Sequence, residues 1–190
     1  MSSTVLYMSM SLDGFIAGLN ETLDNPLGDG GDRLHAWPFP GADGGANRRI
    51  FDEFTSTGAI VAGRGTFEPA GGWGGDHHGG VPIFILSRHP APAWAADWPG
   101  VHYGNDIDAA MRYARQAAGD ENVLVHGAST AQRALNAGLL DELEIHLIPV
   151  LLGDGRPLFE NLGIEQRELE RTRVVEGEGG ITHLHFRVRR

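Results

Sequence analysis

Short apolar runs alternate with longer segments of helical periodicity along most of this chain. TVLYMSM (4–10) is rich in β-formers and reads as a first strand. AIVAG (59–63), PIFIL (82–86) and NVLVH (122–126) read as short buried strands, with VHY (101–103) as a further short one. Between them, 46–57 places Ile50, Phe51 and Phe54 on one helical face, with Gly58 as a stop. Residues 106–118 put Ile107, Ala110, Met111, Ala114 and Ala118 on one stripe, with Asp106 as N-cap and Gly119 as stop. A third helix is expected over 129–137, ending at Gly138. LDELEIHLIPVLLG (140–153) alternates and then meets Pro149, which predicts an edge position or a bulge because proline cannot donate to a ladder. Residues 170–176 and 181–189 flank GEGG as a terminal hairpin, with Leu184, Phe186 and Val188 on one side. The alternation predicts an α/β architecture with a mainly parallel sheet and an antiparallel end.

Composition narrows the class. The 190 residues favour one domain, 1–190, and are ample for a core. A 41% hydrophobic content with no long apolar stretch and no basic leader predicts neither a membrane span nor a signal peptide. The absence of cysteine excludes disulfide and thiolate chemistry and makes the cytoplasm the default compartment. A formal net charge of −10 argues against general nucleic-acid binding, while leaving room for a local basic pocket. Glycine stands out at 28 residues, concentrated in 28–45 and in GGWGGDHHGG (71–80). The long loop 18–45 also carries aromatic residues at Trp37 and Phe39, and loops of that length in compact domains are commonly functional.

In parallel sheets ligands sit beyond the carboxyl ends of the strands, and three polar turns fall there. AIVAGRGTF supplies Gly63 and Gly65 for close backbone approach, Arg64 as a guanidinium fork and Thr66 as a hydroxyl, a set suited to phosphate; the plain alternative is a glycine turn with a solvated arginine. Ser87-Arg88 follows the strand 82–86 and is unremarkable alone, yet two arginines at one sheet edge suit a dinucleotide with an extra 2′-phosphate. VLVHGAST brings Gly127, Ala128, Ser129 and Thr130 to the start of a helix, where hydroxyls can cap the helix and face an anion. The same stretch lacks the last glycine of a nucleophile elbow, which weakens a serine-hydrolase reading of Ser129. His77-His78 and His183/His185 are paired, but no motif supplies the third and fourth ligands of a metal site, and solvated or hairpin-face histidines are the plainer reading. Trp37 serves equally as a wall for a planar substrate or as a loop anchor.

SLDGFIA (11–17), GRGTF (63–67), SR (87–88), HGAS (126–129) and DELEIHLIPVLLGDGRPLF (141–159) occur in that order. Together they resemble the dihydrofolate reductase-like superfamily, and more closely the reductase domain of the bifunctional riboflavin-biosynthesis deaminase/reductase and its stand-alone bacterial relatives. The resemblance implies a three-layer α/β/α fold around an eight-stranded, mostly parallel sheet, and NADPH as cofactor. It places Ala17 on the nicotinamide side, Gly63, Arg64, Gly65 and Thr66 at the pyrophosphate and ribose, Ser87 and Arg88 at the 2′-phosphate, and Gly127, Ala128, Ser129 and Thr130 in a second phosphate turn. Gly153 and Gly155 would allow close approach near the cofactor. A substrate pocket is expected from 12–17, 37–51 and 152–158, with Trp37, Asn47 and Phe51 as contacts. Asp13 is the candidate for a polar contact or a proton relay, its alternative being a turn-forming aspartate. Dihydrofolate reductases carry a pterin-binding carboxylate at or near the position of Asn47; asparagine cannot act as that acid, and of the nearby Asp43, Asp52 and Glu53 the latter two fall on other faces of the helix. The resemblance thus implies an NADPH-dependent reductase of a small planar heterocycle, and a homodimer; a cofactor-binding relative without turnover is the alternative.

Overall fold

The computed structural model describes residues 2–38, 45–163 and 166–189. The apolar runs become strands β1 (Thr4–Ser11), β2 (Phe15–Ala17), β3 (Thr57–Gly63), β4 (Ile83–Leu86), β5 (Val101–Gly104), β6 (Asn122–His126), β7 (Glu142–Ile148), β8 (Arg156–Pro157), β9 (Leu169–Glu176) and β10 (Thr182–Val188). The helices are α1 (Ala46–Thr55), α2 (Arg64–Phe67), α3 (Ile107–Ala118) and α4 (Ala128–Asn136). Eight strands form one sheet in the order β5-β4-β3-β6-β1-β7-β10-β9. It is parallel from β5 to β7, and the β9–β10 hairpin joins antiparallel to β7. The fold is therefore the three-layer one expected from the resemblance.

Two apolar layers follow from the period-2 alternation of the strands. Leu6, Met8, Val61, Val125 and Ile145 pack with the stripes of α3 and α4 on one face. Tyr7, Ile60, Ile85, Leu124 and Ile148 pack on the other with Ile50 of α1, Phe67 of α2 and the loop residues Leu34 and Trp37. The α3 boundaries match their sequence signals: the Asp106 carboxylate accepts from the Asp108 and Ala109 amides at 2.9 and 3.1 Å, a cap worth about 1 kcal/mol, and Gly119 ends the helix.

Four local expectations change. Gly58 does not stop α1; Ser56 does, and Gly58 is the second residue of β3, where an added Cβ would press 2.7 Å from Ala118 Cα. Pro149 sits just past the end of β7, which is a central strand rather than an edge. The segment after β1, expected as a loop, forms β2, which pairs with β8 as a separate two-stranded sheet. Helix α4 begins at Ala128, one residue early. Phe39 and Asp43 lie outside the described residues.

Candidate active site

Strands β6, β3 and β4 are neighbours and run parallel, so the three polar turns that follow them emerge side by side at one sheet edge. Two of these turns interlock through their glycines. A Cβ on Gly63 would lie 3.1 Å from Thr130 Oγ1, and a Cβ on Gly127, whose φ is +90°, would strike Thr66 Oγ1. Gly65 faces Arg156, whose Nη1 would be 3.4 Å from an added Cβ. Thr130 Oγ1 is buried without a hydrogen-bond partner among the described residues. The expected hydroxyl caps do not form: Gly127 holds the N-cap of α4 with no side-chain bond, and Ser129 is exposed. The start of α4 therefore keeps amide N–H groups without a side-chain cap among the described residues, with a buried hydroxyl beside them. Arg64 is not a free fork, since its Nε donates to Glu68 at 2.7 Å. Arg88 is exposed, and the Ser87 hydroxyl shapes its turn by accepting from the His89 amide at 2.9 Å.

A cavity of about 430 Å³ opens beside these turns. Ala17, Gly65 and Thr66 line one side, and Trp37, Phe51, Phe54 and Trp73 supply aromatic walls. Five of the residues singled out in the sequence, Ala17, Trp37, Phe51, Gly65 and Thr66, thus meet in one cavity. Trp37 is wall and anchor at once: it is 4% exposed, and its Nε1 donates to Ser9 Oγ at 2.8 Å.

Asn47 does not line this cavity. Its Oδ1 lies 2.9 Å from His183 Nε2 and its Nδ2 donates to the Glu178 carbonyl at 3.3 Å. His183 Nδ1 is 2.7 Å from His146 Nδ1, and Trp37 packs on both rings, at centroid distances of 4.9 and 4.4 Å. Asn47 therefore belongs to a buried polar chain behind the Trp37 wall. Glu178, from the β9–β10 turn, caps α1 by accepting from the Ala46 and Asn47 amides at 2.8 and 3.0 Å.

Asp13 is a turn organiser. Its carboxylate accepts from Ser11 Oγ at 2.6 Å and from the Leu152 and Gly153 amides at 3.2 and 2.7 Å. The Ser11 hydroxyl first, then these amides, holds its pKa below the usual carboxylate range, so it is a carboxylate at neutral pH and not a proton donor. Gly153 is accordingly the far side of this clasp and is absent from the cavity lining. Asp13→Asn is expected to speed hydrogen exchange of the Leu152 and Gly153 amides by on the order of tenfold at pH 7.5, because the charged acceptor is lost. Unchanged exchange with a fall in turnover would instead make Asp13 a relay.

Histidines missed as site residues complete the cavity: His35, His77 and His126 line it. His77 and His78, read as solvated loop residues, are packed inward. His77 stacks on Trp73 at 4.4 Å, and His78 meets Phe54 edge-on at 4.4 Å. Desolvation, reinforced by neighbouring imidazoles, lowers His126 to about 3; desolvation lowers His77 to about 4, against the pull of Asp76. Desolvation also lowers His35, against Asp32. All three are neutral at physiological pH. No hydrogen bond joins Ser129 to a histidine among the described residues, so a Ser-His pair is not assembled there. Nor do the described residues place three or more metal-ligating side chains together.

The RibD C-terminal domain model matches residues 3–182. No curated protein sequence matches the chain. Among solved structures, a candidate riboflavin biosynthesis protein from Shewanella sp. PV-4 is 24% identical with a TM-score of 0.75, over 99% of both chains. RibD from Acinetobacter baumannii is 17% identical with a TM-score of 0.67; this chain is covered completely and spans 59% of that one. A pyrimidine reductase-like protein from Corynebacterium diphtheriae is 14% identical with a TM-score of 0.67, over 100% of this chain and 92% of that one. With the family model matched along almost its whole length, the chain belongs to the RibD C-terminal domain family.

Proposed function

We propose that this protein is an NADPH-dependent reductase that delivers hydride to a small planar heterocycle of pyrimidine or pterin type. The observation that carries the reading is shared ownership: Gly65 and Thr66 belong both to a glycine turn at the sheet edge and to the aromatic cavity. A cofactor held by the turns would therefore end beside whatever the cavity holds. The residues fit such a group. Glycines at 63 and 127 let the two turns pack directly on Thr130 and Thr66, where a Cβ would force them apart, and the buried Thr130 hydroxyl has an unused hydrogen-bonding capacity among the described residues. Gly63 to Thr66 and Gly127 to Thr130 would meet the phosphates, and Ser87 and Arg88 the 2′-phosphate. NADPH, when bound, supplies the hydride. The chain contributes orientation and water exclusion, through rigid aromatic walls built on a buried core. Family membership, with the relatives above, supports reductase chemistry; the homodimer and the cytoplasmic location are part of this proposal. No helix among the described residues is long and apolar enough to cross a membrane.

A binding protein without turnover is the second reading. Its support is that Glu21, the carboxylate lining the cavity, is occupied by Arg156 at 2.7 Å. Oxidation of NADPH by no pyrimidine or pterin substrate, despite tight binding, would favour it. The primary test is titration with NADPH against NADH. NADPH is expected to bind more tightly, and Arg88→Ala should weaken it about ten- to a hundredfold while leaving NADH unchanged, as a lost charged hydrogen bond does. Equal weakening of both would remove Arg88 from the 2′-phosphate, and binding of neither would remove the cofactor.

A further inference from the structure

Among the described residues lining the cavity, only Glu21 and Arg156 carry a fixed charge, and each neutralises the other across 2.7 Å. The chain has no lysine to add a second cation. Arg64 points to Glu68 and is not part of the lining. The other polar groups of the walls are imidazoles held neutral by burial, together with the hydroxyls of Ser9 and Thr66. Placing a phosphate dianion here would set it against a guanidinium already paired with Glu21 and leave that carboxylate, which is mostly buried, without its partner.

The tautomer of His126 is fixed by its surroundings. Its Nδ1 lies 3.1 Å from the Tyr7 carbonyl, and only an N–H can bond a carbonyl, so the proton is on Nδ1. In the neutral ring Nε2 is then a bare acceptor. It has no partner among the described residues, on a ring that lines the cavity. Flat surfaces at Trp73 and Phe51 suit a planar ring, and a planar ring with an N–H edge would satisfy the acceptor.

Building on the reading of this cavity as the substrate site, we infer that it takes an uncharged, unphosphorylated planar heterocycle whose ring N–H donates to His126 Nε2. His126 is then a specificity-determining contact.

The test is calorimetric titration of the wild-type protein without nucleotide, so that it does not depend on hydride transfer. Four probes are used: lumazine, 1,3-dimethyllumazine, 5-amino-6-(ribitylamino)uracil and the 5′-phosphate of the last. Lumazine is expected to bind at least tenfold more tightly than its dimethyl derivative, which lacks ring N–H groups, and the phosphate ester no more tightly than its parent. His126→Phe should cut lumazine binding about tenfold and leave 1,3-dimethyllumazine unchanged. Equal binding of the two lumazines, tighter binding of the phosphate ester, or binding of none of the four overturns the inference. If NADPH binds and is oxidised while these arms fail, the reductase reading survives and the substrate class does not.

Discussion

The Gly127→Ala variant is expected to lose NADPH binding by at least a hundredfold and to be destabilised by about 2–4 kcal/mol. Two effects add. The backbone at 127 has φ of +90°, a conformation that costs a residue with a Cβ about 1–3 kcal/mol. The new methyl would also strike Thr66 Oγ1, with Thr66 Cβ 3.3 Å away. Relief requires the turn after β6 to separate from the turn after β3, and that separation opens the cradle proposed to hold the phosphates. Thr66→Ala divides the two effects. In the double variant the hydroxyl clash is gone and the φ strain remains, so a double-mutant cycle should show about 1–2 kcal/mol of favourable coupling. Urea unfolding and NADPH titration of the four proteins measure both quantities. Wild-type affinity in Gly127→Ala would place the phosphates elsewhere.

That turn also shows what was legible in the sequence. Each of the three turns is announced locally: an apolar run, then glycine, arginine or a hydroxyl. Parallel strands all point the same way, so the order of these signals along the chain places them at one edge without any knowledge of side chains. The amphipathic stripe of α3 and its Asp106 cap are equally local and were equally readable. The failures are contacts between distant segments. Asn47, His146 and His183 lie on α1, β7 and β10, and nothing within ten residues of any of them signals that they bond in a chain. The spacing of His183 and His185 correctly puts them on one face, but their surroundings differ: His183 is 1% exposed against His146, while His185 sits 3.2 Å from Glu142. His77 and His78 were hidden by their glycine neighbours, which look like solvent-exposed loop. The positive-φ glycines around them instead fold that loop back onto Trp73 and Phe54. Asp13 was half legible: Asp-Gly announces a turn, but its bonds to Leu152 and Gly153 span 139 and 140 positions.

These buried imidazoles set the second large expectation, acid unfolding well above the carboxylate range. His126 is lowered to about 3, His77, His78 and His183 to about 4, and His146 well below its ordinary value, with desolvation the leading cause in each. Arg173 pushes His183 further down, while Glu178 and Glu53 pull it back. The folded state therefore keeps these rings neutral while the unfolded chain takes up protons near pH 6.5, so unfolding becomes easier as pH falls. Stability is full above about pH 6.5 and is lost progressively from there down towards pH 4. At pH 5 His126 and His183 each cost the fold about 2 kcal/mol, together about 4 kcal/mol, with His146 acting in the same direction, a large part of the 5–15 kcal/mol typical of a domain. His77 and His78, only partly buried, add less. Glu144, raised by burial, works in the opposite direction, and the lowered carboxylates of Asp13, Glu142 and Glu178 act only below about pH 4.5. Urea unfolding between pH 7.5 and 5 should show stability dropping with a slope of at least about 2.5 kcal/mol per pH unit at the acid end, an uptake of about two protons by His126 and His183 to which His146 adds. His126→Phe should remove about 1.3 kcal/mol per pH unit of that slope. A flat profile down to pH 5 would mean that these rings are charged or solvated in the folded protein, which would also remove His126 as a neutral acceptor in the cavity.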